Sequence, residues 1–280
     1  MVTIKKIRVT VLVLILVGTL LLAGCGEKSN PSNQTVEQKQ ETTSTQEKNE
    51  SPSPSNQTVE QKQETTSTQE KNEAIEWYNK GNSFYKQNKY YEAIECYDKA
   101  LEIDPNYTVV WYYKGLALYE QNKYSEAIEC YDKVIEMDPN FAIVWYYKGI
   151  ALYGKSDYSE AIECFDKAIE IEPNNANVWI SKGFTLFIQK EYPEALECYD
   201  KAIQIEPNNV VAWNNKGYLL STQRDYTKAL ECYNKAIQID PNYAIAWNNK
   251  GFAHEALGQN TEAEKCYAKV REIDPYFYSK

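Results

Sequence analysis

Seven cysteines, a single histidine and an abundance of carboxylates are the residues here that could do chemistry. Cys96, Cys130, Cys164, Cys198, Cys232 and Cys266 follow one another at intervals of 34 residues. Evenly spaced thiols suggest disulfides or a zinc site, and both require close approach. A disulfide needs Cα atoms within about 7 Å, whereas equivalent positions of neighbouring packed helices lie about 8–10 Å apart. The ladder is therefore expected to be a row of small, half-buried apolar side chains. The lone His254 argues against a histidine metal centre or a catalytic triad. Glu95–Lys99, Glu129–Lys133, Glu163–Lys167, Glu197–Lys201 and Glu231–Lys235 stand at i, i+4, the spacing of ion pairs on a solvated helix face. No nucleophile–base pair, glycine-rich phosphate loop or metal spacing appears. No catalytic residue, metal ligand or cofactor is assigned, and the chain is not expected to be an enzyme.

Within 280 residues, 40 Asp and Glu outweigh 30 Lys and Arg, for a net charge of −10. That balance disfavours nucleic acid, whose phosphates call for a basic surface. All the aromatic residues lie beyond residue 73, so the chain divides into three parts.

The first part is an address. Lys5, Lys6 and Arg8 precede a 14-residue apolar run from Val9 to Leu22, the length of a signal-peptide core and short for a spanning helix. The run ends in Leu22-Ala23-Gly24-Cys25, which resembles the lipobox of prokaryotic lipoproteins. The resemblance implies that residues 1–24 are a cleaved signal and that Cys25 carries diacylglycerol. The chain would then be lipid-anchored on the extracytoplasmic face of a prokaryotic membrane. An uncleaved signal anchor is the alternative, and it places the rest of the chain on the same side.

Residues 25–73 are expected to be a disordered tether. The segment 31–50 recurs unchanged as 54–73, and each copy has one sizeable apolar residue, Val36 or Val59, too few to offset the entropy of ordering. Asn33, Asn56 and Asn106 each begin a glycosylation sequon.

The third part is periodic. Trp77, Trp111, Trp145, Trp179, Trp213 and Trp247 are spaced by 34 residues throughout. Gly follows each Trp by four residues, Ala by 16, Tyr or Phe by 20 and Pro by 28. In the second copy Ala127, Cys130, Tyr131, Val134 and Ile135 form the buried stripe of a helix. Ser125, Ser159, Thr227 and Thr261 are read as its N-caps in their copies, and an Asp-Pro or Glu-Pro pair ends it. The pattern resembles the tetratricopeptide repeat family throughout residues 74–277, with units 74–107, 108–141, 142–175, 176–209, 210–243 and 244–277 and a tail of 278–280. Lys three residues after each Trp departs from the Leu usual there. The resemblance implies an all-α, right-handed superhelical solenoid of six helix-turn-helix units. Glu264 and Arg271 replace apolar residues that face the next unit elsewhere, as expected of a capping repeat.

Family members bind extended peptides or partner helices on a concave face lined by the first helix of each unit. Carried over at one, two, five and eight residues after each Trp, that face holds Tyr78, Asn79, Asn82 and Tyr85, then Tyr112, Tyr113, Leu116 and Tyr119. Next come Tyr146, Tyr147, Ile150 and Tyr153, then Ile180, Ser181, Phe184 and Phe187. The last two units supply Asn214, Asn215, Tyr218 and Ser221, and Asn248, Asn249, Phe252 and Glu255. The groove is expected to be aromatic in the first four units and rich in Asn in the last two. Lipid anchor, tether and array together suggest an extracytoplasmic scaffold for protein partners of unknown identity. A glycan-binding protein using the Tyr-rich groove is the alternative.

Overall fold

The computed structural model describes residues 54–278, with side chains from Gln69 onward. They form twelve α-helices and no strand. The helices are α1 (Pro54–Lys86), α2 (Tyr90–Ile103), α3 (Thr108–Glu120), α4 (Tyr124–Met137), α5 (Ala142–Gly154) and α6 (Tyr158–Ile171). They continue as α7 (Ala176–Gln189), α8 (Tyr192–Ile205), α9 (Val210–Thr222), α10 (Tyr226–Ile239), α11 (Ala244–Ala256) and α12 (Asn260–Ile273). Consecutive helices pair as six hairpins, and the hairpins stack into a solenoid. Each odd-numbered helix also touches the next odd-numbered one, while successive even-numbered helices do not pack comparably. The odd-numbered helices therefore line the inner face.

The repeated residues explain the hairpin. A Cβ on Gly115 would lie 2.5 Å from Cε1 of Tyr131, so only glycine lets α3 approach the ring that fills the space beside it. Ala127, Cys130, Tyr131 and Val134 are buried as the spacing predicts. Trp111, Trp145, Trp179, Trp213 and Trp247 each donate Nε1–H to the carbonyl of the preceding Pro at 2.9 Å, tying the start of one unit to the end of the last.

The ladder of lysines does similar work between units. Lys114, Lys148, Lys182 and Lys216 pair with Asp98, Asp132, Asp166 and Asp200 of the preceding unit at 2.5–2.6 Å. Asn234 occupies the next Asp place, and Lys250 keeps only the position over its Trp ring that the other four also hold. None of the i, i+4 pairs expected on the second helices forms among the described residues. Lys133 and Lys167 reach Glu136 and Glu170 at i+3, and Lys99 lies 4.3 Å from the centre of the Trp77 ring.

The expected serine and threonine N-caps are corrected. The second helices begin at Tyr124, Tyr158, Tyr226 and Asn260, one residue before those side chains. Each hairpin turn is a Schellman motif: Asn122 takes a positive φ of 60°, and Lys123 N–H donates to the Leu118 carbonyl at 3.0 Å. Lys123 thus closes one helix and opens the next, which leaves Ser125 inside the helix. Among these caps Asp225 does accept a bond, from the Lys228 amide at 3.2 Å.

The tether is corrected in its second half. Residues 54–73 are helical and continuous with the first repeat. The segment has no glycine, and its Gln, Glu and Lys residues favour helix. Its proline stands at the first helical position, where it is tolerated. Growth from an existing helix also avoids the cost of nucleation. Cys25, Asn33, the signal segment 1–24 and tether residues 25–53 lie outside the described residues.

All six ladder cysteines are buried and free. Burial raises the thiol of Cys130 to about 12 and those of Cys164, Cys198 and Cys232 to about 11. They are apolar packing groups, poorly suited to nucleophilic work.

Both end faces of the stack are polar. Glu264 and Arg271 are exposed on the last unit and pair at 2.6 Å. In the first unit Glu76 and Ser83 are exposed, where later units bury residues such as Val110 and Ala117. This second polar face was equally legible in the sequence and was missed.

Candidate interaction surface

The candidate groove residues divide by burial. Asn79 is exposed, and Tyr78, Asn82, Tyr112, Tyr113 and Tyr147 are half-buried. Tyr146, Phe184, Asn214, Asn215, Asn248 and Asn249 are buried, the four asparagines at 0–3% exposure. The expectation of an asparagine-lined groove in the last two units is therefore corrected. These amides are held inside the stack.

The cause is a register of 35 residues between successive inner helices. The residue one after each Trp meets the residue two after the next Trp. Tyr78 meets Tyr113 with ring centres 5.7 Å apart, and Tyr112 meets Tyr147 at 5.8 Å. Ser181 Oγ donates to the Tyr146 hydroxyl at 3.4 Å, and Asn249 Nδ2 donates to Asn214 Oδ1 at 3.0 Å. Asn215 stands opposite Ile180 in this register, and its Nδ2 has no partner. The two positions thus form a spine that joins the units. Burial raises the Tyr78 hydroxyl to about 12, and Tyr112 and Tyr131 rise further for the same reason.

A second row lies beside the spine; the resemblance assigns the first ring of each pair to the concave face, and the second ring, at the start of the second helix, was not foreseen. Tyr85, Tyr119, Tyr153 and Phe187, eight residues after each Trp, pair with Tyr90, Tyr124, Tyr158 and Tyr192 at the start of the second helices. Ring centres are 5.4–5.7 Å apart. All eight rings remain half-buried. Tyr124 donates its hydroxyl to Asn122 Oδ1 at 2.7 Å, and Tyr90 does the same to Asn88 at 3.0 Å. In the last two units Ser221 and Glu255 take the first place of the pair, and the row ends. Its signal was a Tyr at the first residue of five second helices.

The accessible inner face is thus aromatic through the first four units and changes character in the last two. Asn82 is occupied, since it accepts the Tyr97 hydroxyl at 2.8 Å. Among the described residues, no group of three or more His, Cys, Asp or Glu is placed to hold a metal ion. No helix among them is long and apolar enough to cross a membrane.

Six stacked helical hairpins with a shared inner face define a repeat solenoid. The sequence matches tetratricopeptide repeats at residues 74–107, 112–176, 176–209, 210–243 and 232–265, so the chain belongs to that family. No curated protein matches it. Among solved structures, the chain is similar to MamA at 25% identity and a TM-score of 0.54, covering 59% of this chain and 97% of that one. It is similar to YrrB, described as a TPR protein with an unusual peptide-binding site, at 24% identity and a TM-score of 0.52, covering 65% and 94%. PilF of Pseudomonas aeruginosa aligns at 20% identity with a TM-score of 0.63, covering 75% and 96%.

Proposed function

We propose that the protein is a membrane-anchored extracytoplasmic scaffold that holds a segment of a partner protein against the aromatic inner face of its first four repeats. The observation that carries this reading is the half-buried double row of rings, from Tyr85 and Tyr90 to Phe187 and Tyr192. Rigid aromatic side chains offer large contact area at small entropic cost, and their hydroxyls supply polar contacts. The anchor rests on Leu22-Ala23-Gly24-Cys25, and two or more acyl chains would hold such a protein stably on a bilayer. The YrrB description is consistent with a peptide ligand for this fold.

Affinity capture from native envelope extract tests the reading. One bait is the full chain, and a second carries Tyr85→Ser, Tyr119→Ser and Tyr153→Ser with helicity confirmed by circular dichroism. Proteins kept by the first and lost from the second support it. Retention of the same proteins by both contradicts it. Material that binds the rings and survives protease treatment identifies a polysaccharide as the occupant instead. Labelling with radioactive palmitate, abolished by Cys25→Ser, tests the anchor separately.

A further inference from the structure

The end face of the sixth unit holds a cavity of about 480 Å³ between α11, α12 and Tyr278. Asn248, Phe252 and Glu255 line it from one face of α11, and Glu264, Tyr267 and Arg271 line it from α12. Tyr278 closes one side and donates its hydroxyl to Asn248 Oδ1 at 3.0 Å. In the unit before, Asn214 holds the same spine position and is served by Asn249 of the next unit. For Asn248 the Tyr278 hydroxyl takes that role on Oδ1. The Asn248 side chain is 1% exposed, and its Nδ2 has no partner. A buried amide N–H left without an acceptor carries a desolvation penalty that an incoming carbonyl would remove.

The charges are also unequal. Glu264 is neutralised by Arg271 at 2.6 Å. Glu255 accepts the Tyr267 hydroxyl at 3.0 Å and, among the described residues, takes part in no ion pair. The Phe252 and Tyr267 rings stand beside it, their centres 5.8 Å apart. A carboxylate with no counter-cation among the described residues, flanked by aromatic rings, suits a guanidinium, which can fork onto the carboxylate and stack on the rings.

We propose that this cavity receives an arginine of a partner peptide, its guanidinium on Glu255 beside Phe252 and Tyr267 and its backbone carbonyl on Asn248. The seven-residue offset places the two anchoring positions about 10 Å apart along the helix. An extended arginine bridges that distance with help from both side chains. The chain's net charge of −10 adds a general attraction for such a ligand. A neutral sugar could satisfy Asn248 but would leave Glu255 unpaired, so the charge favours the peptide. This site lies at the end of the stack, and its test is independent of the inner-face row.

Calorimetric titration of the full chain with Nα-acetyl-arginine methylamide tests it, with the neutral citrulline analogue and chitobiose as comparisons. The arginine probe should bind at least ten-fold more tightly than the citrulline probe. Glu255→Gln, an exposed position, should bring it to the citrulline level without moving the melting temperature. Glu272→Gln, outside the cavity, should leave binding unchanged. Absence of arginine binding, equal affinity for citrulline, or an unaffected Glu255→Gln variant would each overturn the proposal. Tighter binding of chitobiose would do so as well and would mark a saccharide site.

Discussion

Repeats two and three and repeats five and six apply the same register to opposite chemistry. In the former, Tyr112 and Tyr147 meet ring against ring and remain half-buried. In the latter, Asn214 and Asn249 meet amide against amide and are almost fully buried. Two rings in contact, Tyr112 and Tyr147, still reach the surface, whereas Tyr146 set against the small Ser181 is buried. A short amide draws the same positions wholly inside. The combined size of the two side chains that meet therefore sets whether a contact only joins units or also meets solvent, and polarity alone is a poor guide to exposure.

The largest expected effect is one that ignores this contrast. The cysteine ladder is alike in both halves, with thiols raised from the usual 9.0 to about 11–12. A raised acid favours its neutral form in the fold, so this stabilisation is complete below pH 9 and is lost as pH climbs through 11–12. The fully buried Tyr131, Tyr199 and Tyr233 hydroxyls, also raised, act in the same direction. Thermal melts should fall steeply over that window and stay nearly flat between pH 7 and 9. Thiol reagents at pH 8 should label the six only after unfolding.

Tyr146→Ala, which removes a spine ring at 6% exposure, should cost about 3–5 kcal/mol in urea denaturation. Asn214→Leu should cost about 1–3 kcal/mol because it strands Asn249 Nδ2. Changing both asparagines to Leu should recover much of that loss, and a neutral single change would break the claim that these amides are buried. Arg224 holds a φ of 67°, so Arg224→Gly should gain about 1 kcal/mol. Smallest of all, Asn234→Asp should supply the ion pair missing at Lys250, for a gain of at most about 1 kcal/mol that salt weakens.

The helical solenoid could be read from Trp, Gly, Ala and Pro at fixed offsets, because each serves a contact inside one hairpin or across one turn. Gly115 against Tyr131, and Trp111 against the Pro105 carbonyl, are contacts of that kind. The spine was less legible. Asn214 and Asn249 are joined by the angle between successive hairpins, which no residue within one unit reveals. Ser125 misled for a local reason: it has the chemistry of a cap, but the tight turn at Asn122 starts the helix ahead of it. The helix over 54–73 was hidden because its low apolar content pointed to disorder, while its attachment to a packed helix decided the outcome.

The central claim is that the aromatic rows of the first four repeats hold the partner and the inner face of repeat five does not. Tyr119 and Ser221 occupy the same place in repeats two and five, and both are half-buried. Photo-cross-linking with benzoylphenylalanine at each position, in native envelopes, compares them directly. A discrete protein adduct from position 119 and none from 221 is predicted. An adduct from 221 without one from 119 would contradict the account.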